Sequence, residues 1–257
     1  MTYFCTLASG SEGNAALYVS GRQRILIDAG KNTRYLSDCL RQLALSTADL
    51  THILITHSHT DHVSALPVLL KHTRATLVCS HETFTAIAHR LPMGVPVLLF
   101  TPGEGFLLGD VPVKTFATSH DAPGSCGYVL GAGAEQAAVC TDLGTMSGEI
   151  FETIRGSRVV LLECNHDAEM VKNGPYPYPL KMRILSDMGH LSNKFAAKVA
   201  VRLCQTGTRD LLLAHLSAEN NDPRLALDTV RAALREAGLE VNVSLAPREM
   251  PGEPVLL

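Results

Sequence analysis

Four side chains that can bind a metal ion lie within six residues of one another. His57, His59, Asp61 and His62 occur in the stretch HSHTDH, which follows the apolar run HILIT and precedes a helical pattern. Imidazole and carboxylate groups at such close spacing are typical ligands of zinc and similar cations. A loop can present alternate residues to two neighbouring points, so we expect His57 and His59 to face one ion and Asp61 and His62 to face a second.

Two ions need more ligands than this loop offers, and three residues elsewhere share one pattern. His120 in TFATSHDA, Asp142 in AAVCTDLG and His215 in LLLAHLS each follow an apolar strand pattern and precede a loop. One such residue alone is more often structural, but together they favour a common site. Asp28 in ILIDAG repeats the pattern. It could be a ligand, but we expect it to orient a ligand histidine from behind.

The chemistry of such a site is hydrolysis. Two cations a few ångströms apart lower the pKa of a shared water, which gives hydroxide near neutral pH, and they can hold the oxygens of a phosphodiester for attack. Esters and lactams are also hydrolysed in this way. The metal ligands alone therefore do not choose the substrate.

The elements that must position these residues follow from hydrophobic periodicity. Short apolar or β-branched runs bounded by turn residues predict strands, and helical patterns lie between them without a strict βαβ rhythm. We therefore predict mixed sheets with helices outside them, a mixed α+β or α/β class. The segment Asn173–Asn193, rich in Pro, Tyr and Gly, is predicted to be a long functional loop. The helical patterns are Arg34–Leu45, Val63–His72, Glu82–Arg90, Gly148–Arg155, Lys194–Cys204 and Pro223–Ala237.

Composition indicates one globular domain over residues 1–257. The chain is 46% hydrophobic and 18% charged, which is enough to form a substantial core. No apolar run reaches the roughly 18 residues of a membrane span, and MTYFCTLASGSEGN lacks the pattern of a leader. The seven cysteines are widely spaced with no CxxC pair, which argues against a disulfide framework or a thiolate zinc site. We expect a soluble protein in a reducing cytoplasm.

Net charge is −3, so the whole molecule has no bias toward nucleic acid. The segment from Lys172 to Arg209 differs, because it has one acidic residue, Asp187, and seven basic ones. It is either a solvated helix face or a surface that meets phosphate. The basic residues are Lys172, Lys181, Arg183, Lys194, Lys198, Arg202 and Arg209.

Two short motifs could contact an anionic substrate. Ser9, Ser11 and Asn14 in SGSEGN could offer N–H groups and polar side chains to an anionic oxygen, or could simply form a tight hairpin. His190, Ser192 and Asn193 in GHLSN precede a helical pattern. They could meet a phosphate at the helix N-terminus, with His190 as the acid for the leaving group, or could be an ordinary helix cap.

Two further groups have equally open roles. Asn165 and His166 follow the strand pattern RVVLLEC and could line the cleft or cap the helix that follows. Tyr176 and Tyr178 in PYPYP could stack on a base or pack within a rigid loop.

The His-x-His-x-Asp-His core, with DAG before it and a later His, Asp and His, resembles the metallo-β-lactamase superfamily. The resemblance spans nearly the whole chain and implies an αββα sandwich, two mixed sheets flanked by helices, with two divalent cations at one edge. It implies Asp61 and Asp142 among the catalytic residues, beside His190, and Asp28 behind the ligands. Its implied ligands are His57, His59 and His120 for the first ion, Asp61, His62 and His215 for the second, and Asp142 between them.

The stretches LASGSEGN, LLECNHD, PYPLKMRILSDMGHLSN and HLSAENNDP are similar to the WalJ/YycJ-type group. That resemblance implies a 5′-to-3′ DNA exonuclease acting on duplex ends, in a compact form without the large insertion of the RNA-processing members. Histidine and carboxylate ligands suit Zn²⁺, Mn²⁺ or Fe²⁺ alike. The alternatives are a thioester or lactone hydrolase of the glyoxalase II kind and a non-catalytic regulatory member. The oligomeric state is open.

Overall fold

The computed structural model of the protein describes residues 1–257 and divides the chain into two compact units. Unit 1 comprises Met1–Ala117, Ala122–Cys126 and Pro247–Leu257, and unit 2 comprises Thr118–Asp121 and Gly127–Ala246. The strands form two seven-stranded mixed sheets.

The first sheet lies in unit 1. Its order is β14-β1-β2-β3-β4-β5-β6, with antiparallel pairs from β14 to β3 and parallel pairs from β3 to β6. Its parallel strands are mainly apolar, and β4 and β5 are buried over most of their length, as expected for central parallel strands. The strands are β1 Tyr3–Ala8, β2 Ala15–Ser20, β3 Gln23–Ile27, β4 His52–Leu54, β5 Thr76–Ser80, β6 Val97–Phe100 and β14 Val255–Leu256.

Four helices of unit 1 connect these strands. Asn32 and Ser80 cap the first and the last of them, each through a side-chain oxygen that accepts a backbone N–H of the first turn. The helices are α1 Thr33–Gln42, α2 Thr60–Val63, α3 Leu66–Leu69 and α4 His81–Ile87, with short 3₁₀ turns at Thr47–Asp49 and Ala88–Arg90.

The second sheet contains strands β7 to β13. Strands β9 and β10 pair antiparallel, as do β7 and β8, whereas β10 to β13 are parallel neighbours. Parallel strands place their carboxyl ends at one edge, and the loops at that edge carry the polar side chains described below. The strands are β7 Gly105–Leu108, β8 Val111–Ala117, β9 Cys126–Leu130, β10 Ala137–Cys140, β11 Val159–Glu163, β12 Asp210–Ala214 and β13 Asn242–Leu245.

Five helices belong to unit 2, and their ends obey local rules. The last helix has Asp222 as its cap and Pro223 at its first position, and Gly238 follows its end with φ +68°. The helix agrees to within one residue with the predicted pattern Pro223–Ala237. The helices are α5 Gly148–Ile154, α6 Ala168–Asn173, α7 Tyr178–Ile184, α8 Asn193–Gln205 and α9 Pro223–Glu236, with a 3₁₀ turn at Gly133–Glu135.

Two sequence predictions are wrong. The pattern Val63–His72 is divided between α2 and α3, because Pro67 has no N–H to donate and is accommodated in the first turn of a new helix. The segment Asn173–Asn193 is not wholly irregular, since it contains α7. Pro177 caps that helix and Pro179 lies in its first turn, where a missing N–H costs nothing.

None of the helices has the length and apolar character that crossing a membrane requires. All seven cysteines are buried and none forms a disulfide. The burial of Cys164 raises the pKa of its thiol to about 12, so it stays protonated.

Candidate metal centre

The HSHTDH loop of unit 1 brings its four predicted ligands together. It follows β4, and His59 stands immediately before α2. The rings of His57 and His62 are fully buried with centroids 4.0 Å apart, and the His57 and His59 centroids are 4.6 Å apart. Asp61 Oδ2 lies 3.5 Å from His62 Nε2. Two ligands of one tetrahedral zinc ion are about 3.3 Å apart, so Asp61 and His62 are spaced to share an ion.

Asp28 hydrogen-bonds His62, one of the predicted ligands. It follows β3 and is buried, and its Oδ2 lies 2.8 Å from His62 Nδ1. The other oxygen, Oδ1, accepts the Thr56 N–H at 2.8 Å, and the Thr56 hydroxyl donates to the same carboxylate. Because Asp28 occupies Nδ1, the Nε2 atom of His62 is the one turned toward Asp61.

Asn14, at the start of β2, fixes the loop from the other side. Its backbone N–H donates to the Asp61 carbonyl at 2.8 Å, and its Nδ2 lies 3.0 Å from His62 Nε2 and 3.4 Å from Asp61 Oδ2. Its Oδ1 accepts the Gly10 N–H at 3.0 Å. The SGSEGN stretch is therefore a tight hairpin loop whose last residue supports two predicted ligands.

Gly30 packs against the backbone of this loop, and it yields a stability prediction. A Cβ at Gly30 would lie 1.6 Å from the Asp61 carbonyl oxygen, a contact that only a backbone shift can relieve. We expect Gly30→Ala to lower the free energy of unfolding by about 1–3 kcal/mol, measured by urea denaturation. Gly148→Ala, at an exposed helix start with nothing within 4 Å, is the control. Equal stability of the two variants would contradict the tight contact.

Unit 2 brings together the other three predicted ligands. Asp142 Oδ1 lies 3.5 Å from His215 Nε2 and 4.0 Å from His120 Nε2. All three residues are at most 5% exposed. Burial lowers the pKa of His120, and the Asp142 carboxylate opposes that shift. The same Oδ1 lies 3.9 Å from His190 Nδ1, so one carboxylate oxygen faces three imidazoles.

Glu163, which the sequence analysis did not single out, is the central residue of this half. It ends β11 with no exposed surface, and its Oε1 lies 2.8 Å from His190 Nδ1 and 3.0 Å from His215 Nδ1. Its Oε2 accepts the Leu143 N–H at 3.1 Å and the Leu191 N–H at 3.0 Å. A charged residue ending the apolar run RVVLLE was the signal that could have revealed it.

Burial alone would raise the pKa of the Glu163 carboxyl. The neighbouring His190 and the hydrogen bonds from His190 and His215 outweigh burial and lower the pKa to about 2. The carboxylate is therefore charged at neutral pH. Asp142, Glu163, His190 and His215 each have a ligand-type atom within 4.8 Å of the others, a group able to hold a metal ion.

Three of the predicted site residues have a strained backbone. Asp28, Asp142 and His215 have φ of +60°, +57° and +56°, and Ala44 is the only other non-glycine residue with positive φ. The left-handed region costs an L-residue roughly 1–2 kcal/mol. Such strain at the ends of three strands, confined almost entirely to predicted site residues, is typical of a functional site.

The predicted substrate-binding residues differ in exposure. Asn165, His166 and Asn193 are at most 5% exposed, and Ser9 is also buried. Asn165 Nδ2 donates to the His215 carbonyl at 2.7 Å, and Asn193 exchanges side-chain hydrogen bonds with Asn221. Substrate contact stays a prediction for all of them. Ser11 is exposed, and the intermediate cases are Ser192, whose hydroxyl caps α8, and His190.

His166 yields a pH prediction. Burial lowers the pKa of its imidazole to about 4, and its Nδ1 has no hydrogen-bond partner. At pH values below the ordinary pKa of histidine, His166 of the unfolded chain binds a proton, whereas His166 of the folded chain stays neutral until about pH 4. Stability should therefore fall with pH in this window, by about 1 kcal/mol per pH unit below about pH 6.

The test compares urea unfolding of the metal-free protein and of His166→Gln between neutral and acidic pH. The wild type should lose stability more steeply, and the difference between the two slopes belongs to His166. Parallel curves would contradict a neutral, buried His166.

The donor set fits divalent cations. Carboxylates hold the Nδ1 atoms of His62 and His215, so each Nε2 atom would be the ligand in the usual carboxylate–histidine–metal arrangement. An ion at His62 would replace the contact of its Nε2 with Asn14 Nδ2. The predicted ligands include no thiolate, so the site suits zinc, manganese or iron rather than a cysteine-bound metal.

Comparison with known proteins agrees with this fold and donor set. The family described as "Beta-lactamase superfamily domain" matches residues 23–216 of the chain. The solved metallo-β-lactamase fold protein YhfI from Bacillus subtilis aligns with a TM-score of 0.73 at 17% identity, over 98% of this chain and 100% of that chain. The chain belongs to the metallo-β-lactamase superfamily, and its fold is the predicted αββα sandwich.

Within the superfamily it falls in the WalJ/YycJ-like group, as the sequence motifs predicted. It is 34% identical to the exodeoxyribonuclease YycJ of Bacillus anthracis, over 93% of this chain and 92% of the relative. It is 33% identical to the exodeoxyribonuclease WalJ of Streptococcus pneumoniae, over 93% of this chain and 91% of the relative. The chain is a hydrolase by family, with a cluster of His and Asp residues able to bind metal.

Proposed function

We propose that this protein is a dinuclear metal-dependent phosphodiesterase that degrades DNA from its ends in the 5′-to-3′ direction. The observation that carries the proposal is the near full-length similarity to two proteins named exodeoxyribonuclease. The buried histidines and carboxylates of both units support a metal-dependent hydrolase. The superfamily alone would allow ester or lactam chemistry, so the choice of DNA depends on the relatives.

The proposed ligand assignment follows the superfamily pattern. Within each unit the distances support it, since Asp61 with His62, and Asp142 with His215, have the spacing of ligands on one ion. Asp28 and Glu163 act from behind, each on the Nδ1 atom of a ligand histidine. The proposed ligands are His57, His59 and His120 for the first ion, Asp61, His62 and His215 for the second, and Asp142 between them.

When bound, the two divalent cations would supply Lewis acidity and an activated water for attack on phosphorus. The chain's own residues do the rest. Glu163 holds His190 through Nδ1, which leaves Nε2 of this 19% exposed ring to face a substrate oxygen. We assign His190 the role of donating a proton from Nε2 to the leaving oxygen.

Several finer assignments belong to the same proposal. Zn²⁺ or Mn²⁺ is the expected metal, with Fe²⁺ also compatible with the donors. Duplex ends are the expected substrate, a single catalytic domain is the expected organisation, and the cytoplasm is the expected compartment. The absence of disulfides among seven cysteines supports a reducing compartment.

The test uses purified protein freed of metal with a chelator and then reloaded with Mn²⁺ or Zn²⁺. It is offered end-labelled duplex DNA and, separately, a thioester such as S-lactoylglutathione. The proposal expects DNA degradation only after reloading. Thioester turnover without DNA degradation would replace the proposal with a glyoxalase II-like hydrolase, and neither activity, with metal bound, would indicate a non-catalytic member.

A further inference from the structure

Helix α8 presents a row of positive charges to solvent. Lys194, Lys198 and Arg202 are exposed and are spaced four residues apart. At 3.6 residues per turn they fall within about 80° of one another on one face and extend over about 12 Å. We call these three residues the cation stripe.

Two basic residues of the segment outside the cation stripe are neutralised by acidic partners, and Lys181 donates to the Lys172 carbonyl. Lys172 pairs with Glu169 at 2.8 Å, and Arg183 pairs with Asp121. α8 contains no acidic residue that could pair with Lys194 or Lys198 along the helix. The Arg202 guanidinium lies over the Phe151 ring, 4.0 Å from the ring centroid. This contact fixes the position of the guanidinium without neutralising its charge.

Lys194 also stands where a lysine is electrostatically unfavourable. The first turn of a helix carries partial positive charge, and acidic residues are the ones that stabilise it. The first turn of α8 has no acidic residue and contains Lys194 instead. The stripe and the helix dipole therefore add to one positive field at the start of α8.

That end of α8 is tied to the candidate centre. Glu163 holds the His190 ring through Oε1 and the Leu191 N–H through Oε2, and Ser192 caps the helix immediately afterwards. The cation stripe therefore begins a few residues from the proposed proton donor and runs away from it along the exposed face.

We propose that the cation stripe binds the phosphates of the DNA strand next to the scissile bond and guides a DNA end into the centre. This inference depends on the proposed function, because it assumes that the centre cleaves DNA. The length of the stripe equals the rise of three to four base pairs, at roughly 3.4 Å each. Phe195, which follows Lys194 beside the stripe and is 38% exposed, offers an apolar contact to a sugar or base.

The experiment measures KM for duplex DNA against salt concentration with the metal-loaded full chain. Removing a side chain that neutralises one phosphate reduces the salt slope by about 1. Lys194→Ala with Lys198→Ala should raise KM and reduce the slope by about 2, independently of DNA sequence. Lys71→Ala with Arg74→Ala, which removes two exposed charges elsewhere, should leave the slope unchanged. Lys194→Arg with Lys198→Arg should restore it.

The outcomes separate this inference from the proposed function. A wild-type protein that degrades no DNA overturns the proposed function. A wild type that degrades DNA while the double alanine variant keeps its KM and slope overturns the stripe alone. Metal content and melting temperature show whether the double alanine variant is misfolded. If it is, the stripe is judged from the double arginine variant and the Lys71/Arg74 control, both of which should keep the wild-type slope. An equal loss of slope in that control would also reject the stripe, because the effect would then be one of net charge.

Discussion

The variant Asp142→Asn is expected to lose DNA degradation by more than about 100-fold while it keeps its fold. Asparagine tolerates the left-handed backbone of this position, where φ is +57°. The substitution therefore removes the negative charge without adding strain. The oxygen that lies 3.5 Å from His215 and 4.0 Å from His120 loses the charge that would bridge two cations. Loss of a residue that only hydrogen-bonds a metal ligand lowers metal affinity or activity roughly 10–100-fold, and loss of a bridging ligand should lower them further.

Two measurements check this expectation, the rate of nucleotide release and the number of bound metal ions per chain. Asp110→Asn is the matched control, because it makes the same change at an exposed carboxylate after β7. Asp142→Asn should bind fewer ions than the control and the wild type. A variant with full metal content and full turnover would remove Asp142 from the centre.

The second expectation concerns Glu163→Gln, which should weaken metal binding and activity by about 10–100-fold. The two carboxylate oxygens accept hydrogen bonds from two imidazoles and from two backbone N–H groups. An amide has one oxygen, so its NH₂ must face donors whichever way it turns. Leaving those buried donors unsatisfied should also lower the free energy of unfolding by about 1–3 kcal/mol.

Chelator competition measures the metal affinity, and urea unfolding of the metal-free protein measures the stability. Glu240→Gln, at an exposed position, is the control. Because Glu163 acts on turnover partly through His190, the loss of turnover caused by Glu163→Gln should be smaller when His190 is already alanine. Unchanged affinity and stability in Glu163→Gln, or full additivity with His190→Ala, would contradict a positioning role.

The sequence contained enough information to predict the fold class and to single out residues that the structure brings together. The ligands in HSHTDH are local in the chain, and His120, Asp142 and His215 each stand out as polar residues at the end of an apolar run. Asp28 was expected to orient a ligand histidine, and in the structure it hydrogen-bonds His62. These signals are local, so a single sequence reveals them.

What the sequence could not reveal depends on long-range contacts. Glu163 looks like the last residue of a strand, and only the structure brings it within hydrogen-bond distance of His190, 27 residues away, and His215, 52 residues away. Asn14 looked like a turn residue, whereas it supports Asp61 and His62. Helix α7 was missed because prolines near its start resemble a loop until their position in the first turn is known.

The charge of the basic segment shows the same limit. All seven basic residues look equivalent in sequence, but in the structure Lys172 and Arg183 are paired with acids, whereas Lys194 and Lys198 lie on a helix that has no acidic residue. A solvated helix face and a phosphate-binding face have the same composition. Their difference lies in which side chains are paired and in where the helix begins.

The most direct test of the central claim is digestion of a linear duplex and of a covalently closed circle with the same sequence. The protein is reloaded with two divalent ions per chain, and the linear duplex is labelled at its 5′ or its 3′ end. A metal-dependent exonuclease should release the 5′ label first and leave the circle intact, and a chelator should stop the reaction. Cleavage of the circle at the rate of the linear duplex, or no release from either despite bound metal, would contradict the account.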